Sequence, residues 1–140
     1  MTVKTHEITQ ILVDALRTVI QNIHVGSLRF YTKLPTRPFI VIVPASLSVE
    51  KRYGTEFIHI NEIYRIHIVT DLGSQPFIQN LQLTAQVCNK LATLYPQPQG
   101  FTIGGVEIVG VEYDSADLSD LNCFVTTVEL RIVYYSPVSA

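Results

Sequence analysis

The apolar residues of the chain follow a helical spacing in two segments and a strand-like alternation in three others. Between Thr5 and Ile23 they recur every three or four residues, which predicts an amphipathic helix with one buried face. We expect Thr5 to cap the start of this helix, because a threonine hydroxyl can accept a hydrogen bond from a first-turn amide. A short strand, Leu28 to Tyr31, is predicted to follow.

The longest alternation predicts a strand pair from Phe39 to Asp71 that reverses near Gly54. On the outgoing strand the odd positions from Phe39 to Val49 are apolar, so we expect one face to be core throughout. The even positions become polar from Ser46 onward. On the return strand one face carries Ile58, Ile60, Tyr64, Ile66 and Ile68, and the other carries His59, Asn61, Arg65 and His67.

This strand pair is long for the chain that carries it. At about 3.3 Å per residue, an unbroken strand from Phe39 to Tyr53 would span about 50 Å. A compact chain of this length is expected to have the radius of gyration of a uniform sphere about 37 Å in diameter. We therefore expect a long hairpin to project from the body, although a bend at Pro44 would shorten it.

The second half repeats the order of helix and strand pair. A helix is predicted from Pro76 to about Tyr95, because proline suits the first helical turn and Pro96 prevents continuation. Gly104 and Gly105 predict a two-residue hairpin turn before a strand that ends at Tyr113. The predicted buried stripe of the helix is Phe77 or Ile78, Leu81, Thr84, Ala85, Cys88, Leu91, Ala92 and Tyr95.

The last predicted strand, Cys123 to Tyr135, follows an acidic loop from Asp114 to Asn122. Because short reversals join the strands within each pair, the sheet should be mainly antiparallel. We therefore predict a single α+β domain over residues 1–140, with about four strands and two helices packed on one face.

Composition adds a reason to expect assembly. The 140 residues include 16% charged residues, against a typical value of about 25%. The mean hydropathy is +0.27, and no apolar run approaches the roughly 20 residues needed to span a bilayer. We interpret the surplus apolar surface as contact area for other copies or partners. The net charge of −2 argues against direct nucleic-acid binding, and the polar N-terminus argues against a signal peptide.

The candidate chemical groups are scattered. Eight residues of strand would separate His59 from His67 by about 27 Å, which excludes a shared metal ion. Cys88 and Cys123 are too few for a disulfide framework or a zinc site. Asp114, Asp117 and Asp120 do not match a calcium loop, which places oxygen ligands at alternate positions and closes with a glutamate. We therefore expect no enzyme activity, no metal and no cofactor.

Several short patterns resemble one protein family. These are the extended entry from Leu34 to Ile42, the long strand pair, the helix that begins at Pro76 and the Val111 to Asp114 segment before a long final strand. Together, from Ile8 to Tyr135, the chain resembles the tail terminator proteins of tailed bacteriophages. The resemblance implies a structural virion protein, assembled in the host cytoplasm, that forms a ring of usually six copies.

The resemblance also implies partners. Such a ring caps the tail tube, ends its polymerisation and docks to the head connector or stopper protein, and sheath or tape measure protein are further possible partners. We predict that one set of residues contacts a neighbouring subunit or the tube: Lys51, Arg52, Tyr53, Glu56, His59 and Arg65. Asp114, Asp117 and Asp120 are predicted to lie at the lumen or an axial face, where they would repel passing DNA.

Two alternatives stay open at this point. One is another neck, tail-completion or baseplate ring component with a similar fold. The other is a small cytoplasmic ligand-binding or catalytic α+β domain with a pocket between sheet and helices. That domain would need polar residues converging inside the apolar stripes. The candidates for such a pocket are Tyr64, Thr84, Cys88, Thr126 and Tyr134.

Overall fold

Two helices pack against one face of a five-stranded sheet. The computed structural model describes residues 3–26, 36–53, 57–72, 76–115 and 122–137. The elements in chain order are α1 (Thr5–Leu16), β1 (Ile23–Val25), β2 (Phe39–Tyr53), β3 (Phe57–Asp71), α2 (Pro76–Ala92), β4 (Thr102–Tyr113) and β5 (Cys123–Pro137). The strand order is β1-β2-β3-β5-β4, and every pair except β1 with β2 is antiparallel. The predicted α+β class is confirmed.

Helix α1 is shorter than its apolar spacing predicts. It ends at Leu16, and the apolar residues that follow reach the same core from a turn and from β1. Its N-cap is Lys4, which makes no side-chain capping bond. The predicted cap at Thr5 is wrong, because the Thr5 hydroxyl instead donates to Glu62 Oε1 at 2.5 Å.

Strand β1 forms one edge of the sheet. Its three residues pair in parallel with Ile40, Val41 and Ile42. This strand was not predicted, because a three-residue segment is too short for alternation to identify. The strand predicted from Leu28 to Tyr31 lies outside the described residues.

Strands β2 and β3 pair from Phe39 opposite Val69 to Tyr53 opposite Phe57. Two register shifts leave Ala45 and Glu50 as extra residues on β2. Because a one-residue shift moves the following side chains to the other face, the odd positions do not share one face throughout. Phe39 and Val41 are buried on the face opposite the helices, whereas Leu47 and Val49 lie in register with Glu62 and Ile60 on the helix face.

The predicted projection of this strand pair is not confirmed. Strand β5 pairs with β3 along its whole length, from Asp71 opposite Cys123 to Phe57 opposite Pro137. A third strand therefore flanks the distal end of β3. The reversal itself, residues 54–56, lies outside the described residues.

Helix α2 is fixed to the sheet by a buried asparagine. Asn80 Nδ2 donates to the Ile68 and Phe124 carbonyl oxygens at 3.1 and 3.3 Å, and to Thr70 Oγ1 at 3.0 Å. Its Oδ1 accepts from Thr84 and Thr126. The helix therefore turns Asn80, Thr84, Val87 and Leu91 toward the sheet. The predicted stripe is rotated relative to this face, and the helix ends at Ala92 rather than Tyr95.

Strand β4 runs unbroken through Gly104 and Gly105, so the predicted hairpin turn there is wrong. Gly104 and Val109 are extra residues in the pairing with β5. They keep a set of apolar residues on the helix face despite uneven spacing. This set is Ile103, Val106, Ile108 and Val111. Gly104 also permits a close approach, since a Cβ there would lie 2.9 Å from the Tyr135 ring.

The two halves of the sheet share one plan. Strands β2 and β4 are the outer members of the four long strands, and β3 and β5 are the inner pair. The extra residues Ala45 and Glu50 on β2 are five positions apart, as are Gly104 and Val109 on β4. Both outer strands therefore bend twice at the same interval.

Replacement of Asn80 by alanine should destabilise the fold by about 2 to 4 kcal/mol, because it leaves the Thr126 hydroxyl and two carbonyl oxygens without their buried partner. Urea denaturation monitored by circular dichroism measures this change. Gln86→Ala, on the exposed side of the same helix, is the matched control and should change the unfolding free energy by less than about 0.5 kcal/mol. Equal effects of the two changes would contradict the Asn80 network.

Candidate interaction surfaces

The sheet face opposite the helices, here called the open face, carries two of the predicted interface residues. Arg65 is exposed and lies in register with Glu129 of β5. His59 is half-buried and stacks on the Tyr135 ring, with 5.1 Å between ring centroids. Arg131 forms an ion pair with Glu107 nearby. The middle of the open face therefore carries rows of half-buried and charged side chains, as the alternation of apolar and polar residues predicts.

The distal end of β2 carries the other predicted contact residues. The backbones of Lys51, Arg52 and Tyr53 pair with His59, Ile58 and Phe57. The side chains of these β2 residues lie outside the described part of the structure, and so does Glu56. Their contact with a neighbouring subunit or tube stays a prediction.

Asp114 follows the last residue of β4 and has a φ of 53°, in the left-handed region. Asp117 and Asp120 lie outside the described residues, so the lumenal or axial position of the three aspartates stays a prediction. The chain then returns to the sheet at Ser115, whose amide donates to the Val125 carbonyl at 2.9 Å.

A short polar chain extends from Ser115 across the open face. The Ser115 and Thr127 hydroxyl oxygens are 2.6 Å apart, and Thr127 Oγ1 is 2.7 Å from His67 Nδ1. Burial lowers the pKa of His67, and the charge of Arg65 lowers it further. Because the Thr127 hydroxyl stands between Ser115 and the imidazole, these contacts join the segment after β4 to β5 and β3 and do not form a serine–base pair.

A buried carboxylate joins α1 to the centre of the sheet. Glu62 is 2% exposed, and its Oε1 accepts hydrogen bonds from Thr5 and from the Tyr64 hydroxyl. Its Oε2 has no hydrogen-bond partner within the described residues. The Tyr134 hydroxyl accepts from the Lys4 amide at 3.0 Å. Burial, with the nearby Glu62 charge, raises the pKa of both Tyr64 and Tyr134.

Helix α2 exposes an apolar surface that its apolar spacing predicts to be buried. We call Phe77, Ile78, Leu81 and Ala85 the α2 apolar face. Phe77 is 55% exposed, Ile78 48% and Leu81 42%. The helix contains one charged residue, Lys90. Both sides of α2 are rich in apolar residues, so spacing alone could not identify the buried side. The polar residue Asn80, which marks that side, was the signal that could have done so.

The polar residues proposed for a ligand pocket do not converge on a cavity. Thr84 and Thr126 bind Asn80, while Tyr64 and Tyr134 surround Glu62. The fifth candidate, Cys88, is half-buried, and burial raises the pKa of its thiol. None of the five lines either of two open cavities, of about 490 and 350 Å³, that lie along β4.

Neither a group of metal-ligating side chains nor a helix able to span a membrane is present among the residues that the structure describes. Among those residues, no three histidine, cysteine, aspartate or glutamate side chains form a group able to hold a metal ion. Within the same ranges, no helix is both long enough and apolar enough to cross a membrane.

No protein-family model and no curated protein matches the chain. Solved structures do match it. A chain of the virion of a native gene transfer agent particle superposes with a TM-score of 0.66 at 10% identity, over 86% of this chain and 84% of that one. A chain of the sheath/tube terminator of an extracellular contractile injection system, in the extended state, superposes with a TM-score of 0.61 at 17% identity.

The chain shares its fold with these two proteins. The second alignment covers 100% of this chain but 58% of the terminator chain, so this chain spans little more than half of that protein. At these identities the likeness shows a shared fold.

Leucines on opposite sides of α2 should respond differently to truncation. Leu91→Ala should cost about 2 to 5 kcal/mol of unfolding free energy, because Leu91 is 1% exposed in the core. Leu81→Ala, its matched control on the α2 apolar face, should cost less than about 1 kcal/mol. Denaturant titration of both variants measures the difference, and a larger loss at Leu81 would show that the helix is rotated from the orientation described.

The tyrosines beside Glu62 should make the fold sensitive to alkaline pH. Their raised pKa values mean that the folded chain holds two protons that the unfolded chain releases above about pH 10. Below pH 10, the two tyrosines should therefore cause no change of the unfolding free energy with pH. It should then fall by up to about 2.7 kcal/mol per pH unit as the pH rises toward the folded-state values.

Denaturation at a series of pH values from 8 to 12 measures this slope. Tyr64→Phe should lower this slope by up to about 1.4 kcal/mol per pH unit, because one of the two titrating hydroxyls is removed. Tyr95→Phe is the matched control, since Tyr95 is 85% exposed, and should leave the slope unchanged. An unaltered slope in Tyr64→Phe would contradict the assignment.

Proposed function

We propose that this chain is a structural protein of a phage-like tail, a terminator that forms a ring and caps the tail tube. The observation that carries the proposal is the shared fold with a chain of a gene transfer agent virion and with a sheath/tube terminator of a contractile injection system. The short sequence patterns that resemble tail terminators provide separate support.

The surface of the chain fits a role in assembly. Apolar side chains are exposed on the α2 apolar face and on both long outer strands. Charged residues make up 16% of the sequence, fewer than on a typical soluble protein. A closed ring needs two different patches on each copy, and a structure with several separate exposed apolar regions can provide them.

In this proposal the ring contains six copies, ends tube polymerisation and presents its other side to the head connector. The distal end of β2, with Lys51, Arg52 and Tyr53, contacts the next copy or the tube. The aspartates that follow β4 face the lumen or an axial surface. The chain acts without catalysis, and its place is the neck of the tail. Another ring of the neck or baseplate is the competing assignment.

Tail-tube polymerisation in the presence of the purified chain tests this function. We expect shorter tubes with a cap at one end in electron micrographs, because bound terminator blocks addition of further tube subunits. The double change Lys51→Glu with Arg52→Glu should weaken capping. Arg17→Glu with Lys90→Glu makes the same change of charge elsewhere and should not. Tubes of unchanged length, with no terminator bound at any concentration, would contradict the proposal.

A further inference from the structure

We propose that β4 is an acceptor edge, where an extended segment of a partner protein adds to the sheet as a sixth strand. The partner segment places apolar side chains on the helix side of the sheet and one basic side chain on the open face. The acceptor edge does not depend on a role in a tail, because strand addition requires only an exposed edge and side chains that fit beside it.

The outer edge of β4 is exposed along its length. Among the described residues, β4 pairs with β5 alone, at one end of the strand order. Eight of the twelve β4 residues are exposed and none is buried, whereas no residue of β5 is exposed. An edge of this kind presents main-chain donors and acceptors to solvent. Such an edge is a template for strand addition by another chain.

A cavity of about 490 Å³ lies beside the first half of this edge, on the helix side of the sheet. Its walls include Tyr95, Pro96 and Pro98 from the segment after α2, and Ile103 and Val106 from β4. None of the described residues that line it is charged. A strand added to β4 would lie about 4.8 Å beyond it, so its helix-side residues would point toward this cavity. The cavity therefore fits apolar side chains.

On the open face, Gly110 leaves a path from the edge to a carboxylate. Gly110 lies in register with Glu129, and a Cβ built on it would meet no atom within 4 Å. Within the described ranges, Glu129 forms no ion pair. A basic side chain level with Gly110 would pass over the glycine and reach this carboxylate.

The charges around Gly110 favour a basic partner residue. A cavity of about 350 Å³ on the open face is lined by Gly110, Glu112, Glu129 and Arg65 among others. Arg65 lies in register with Glu129 on the side away from the edge. Two carboxylates beside one guanidinium leave an excess of negative charge near the edge, which complements a lysine or arginine of the partner.

Strand β5 gives the spacing that the partner segment needs. Ile103 is level with Tyr134, and Gly110 is level with Glu129, five positions earlier on β5. Val106 is level with the β5 residue three positions from Glu129. Odd separations along a strand place side chains on opposite faces. The partner segment therefore carries apolar residues three and five positions from a basic residue.

The charge of β4 argues against β4 of a second copy as the occupant. The strand contains two glutamates and no basic residue. Pairing of two β4 edges would bring like charges together, which disfavours that contact. A partner segment with a basic residue has no such cost.

Hydrogen exchange of the full chain with two probe peptides tests the acceptor edge. Each peptide has about ten residues, all threonine except for two leucines that lie three and five positions from one arginine, and the two peptides have opposite sequence order. Threonine favours the extended conformation. With one of the two peptides at about 5 mM, we expect the β4 amides to exchange about tenfold more slowly and α1 to exchange as before. Unchanged exchange of β4 with both peptides would overturn the proposal.

A charge change tests the position of the basic residue. Glu129→Gln should weaken binding of the arginine peptide by about fivefold, and should leave unchanged the binding of a peptide with glutamine in place of arginine. Glu7→Gln makes the same change on the exposed side of α1 and is the matched control. Equal effects of Glu129→Gln on both peptides would overturn the contact across Gly110.

The outcomes are separate from those that test the proposed function. Slower exchange of β4 as the concentration of the chain alone rises would show a second copy at this edge and overturn the partner segment. A chain that caps tail tubes but binds neither peptide would overturn the acceptor edge and leave the terminator role standing. Binding of a peptide by a chain that never caps tubes would do the reverse.

Discussion

The structure depends on the antiparallel pairing of β3 with β5. The two strands are in register over fifteen residues, from Phe57 opposite Pro137 to Asp71 opposite Cys123. Both are flanked by a further strand on their outer side, and their helix-facing residues form the centre of the main core. The positions of α1, α2 and the two outer strands all follow from this pair, because each is attached to it.

The attachments are polar as well as apolar. Glu62, near the middle of β3, binds the start of α1, and Asn80 of α2 binds carbonyl oxygens of both central strands. Buried polar contacts of this kind have a narrow geometry, so they set the rotation and height of each helix. Packing alone would tolerate α2 turned by one residue. The α2 apolar face is exposed because Asn80 must face the sheet.

Alternation of apolar and polar residues predicted strands β2, β3 and β5, and it predicted which residues of β3 and β5 share a face. The short reversals between strands predicted that both helices pack against one side of the sheet. Alternation failed where a strand contains an extra residue. Ala45 moves Leu47 to the other face, and Gly104 lies inside a strand although a glycine pair usually marks a turn. Bulges are properties of a pair of strands, so one strand read alone does not show them.

The candidate surface residues also divide into those that alternation predicted and those that it missed. His59 and Arg65 lie on the predicted face because simple alternation holds along β3. The α2 apolar face was missed, since both sides of that helix are apolar and the deciding contacts come from residues more than ten positions away. The strand order, which decides which strands lie at the edges of the sheet, was left undetermined by the sequence pattern.

We propose that copies of this fold close a ring on the end of a tail tube. Single-particle electron cryomicroscopy of the chain bound to purified tubes tests it most directly. We expect a closed ring at one end of each tube. Decoration along the tube wall, or binding as isolated copies without mutual contact, would contradict it.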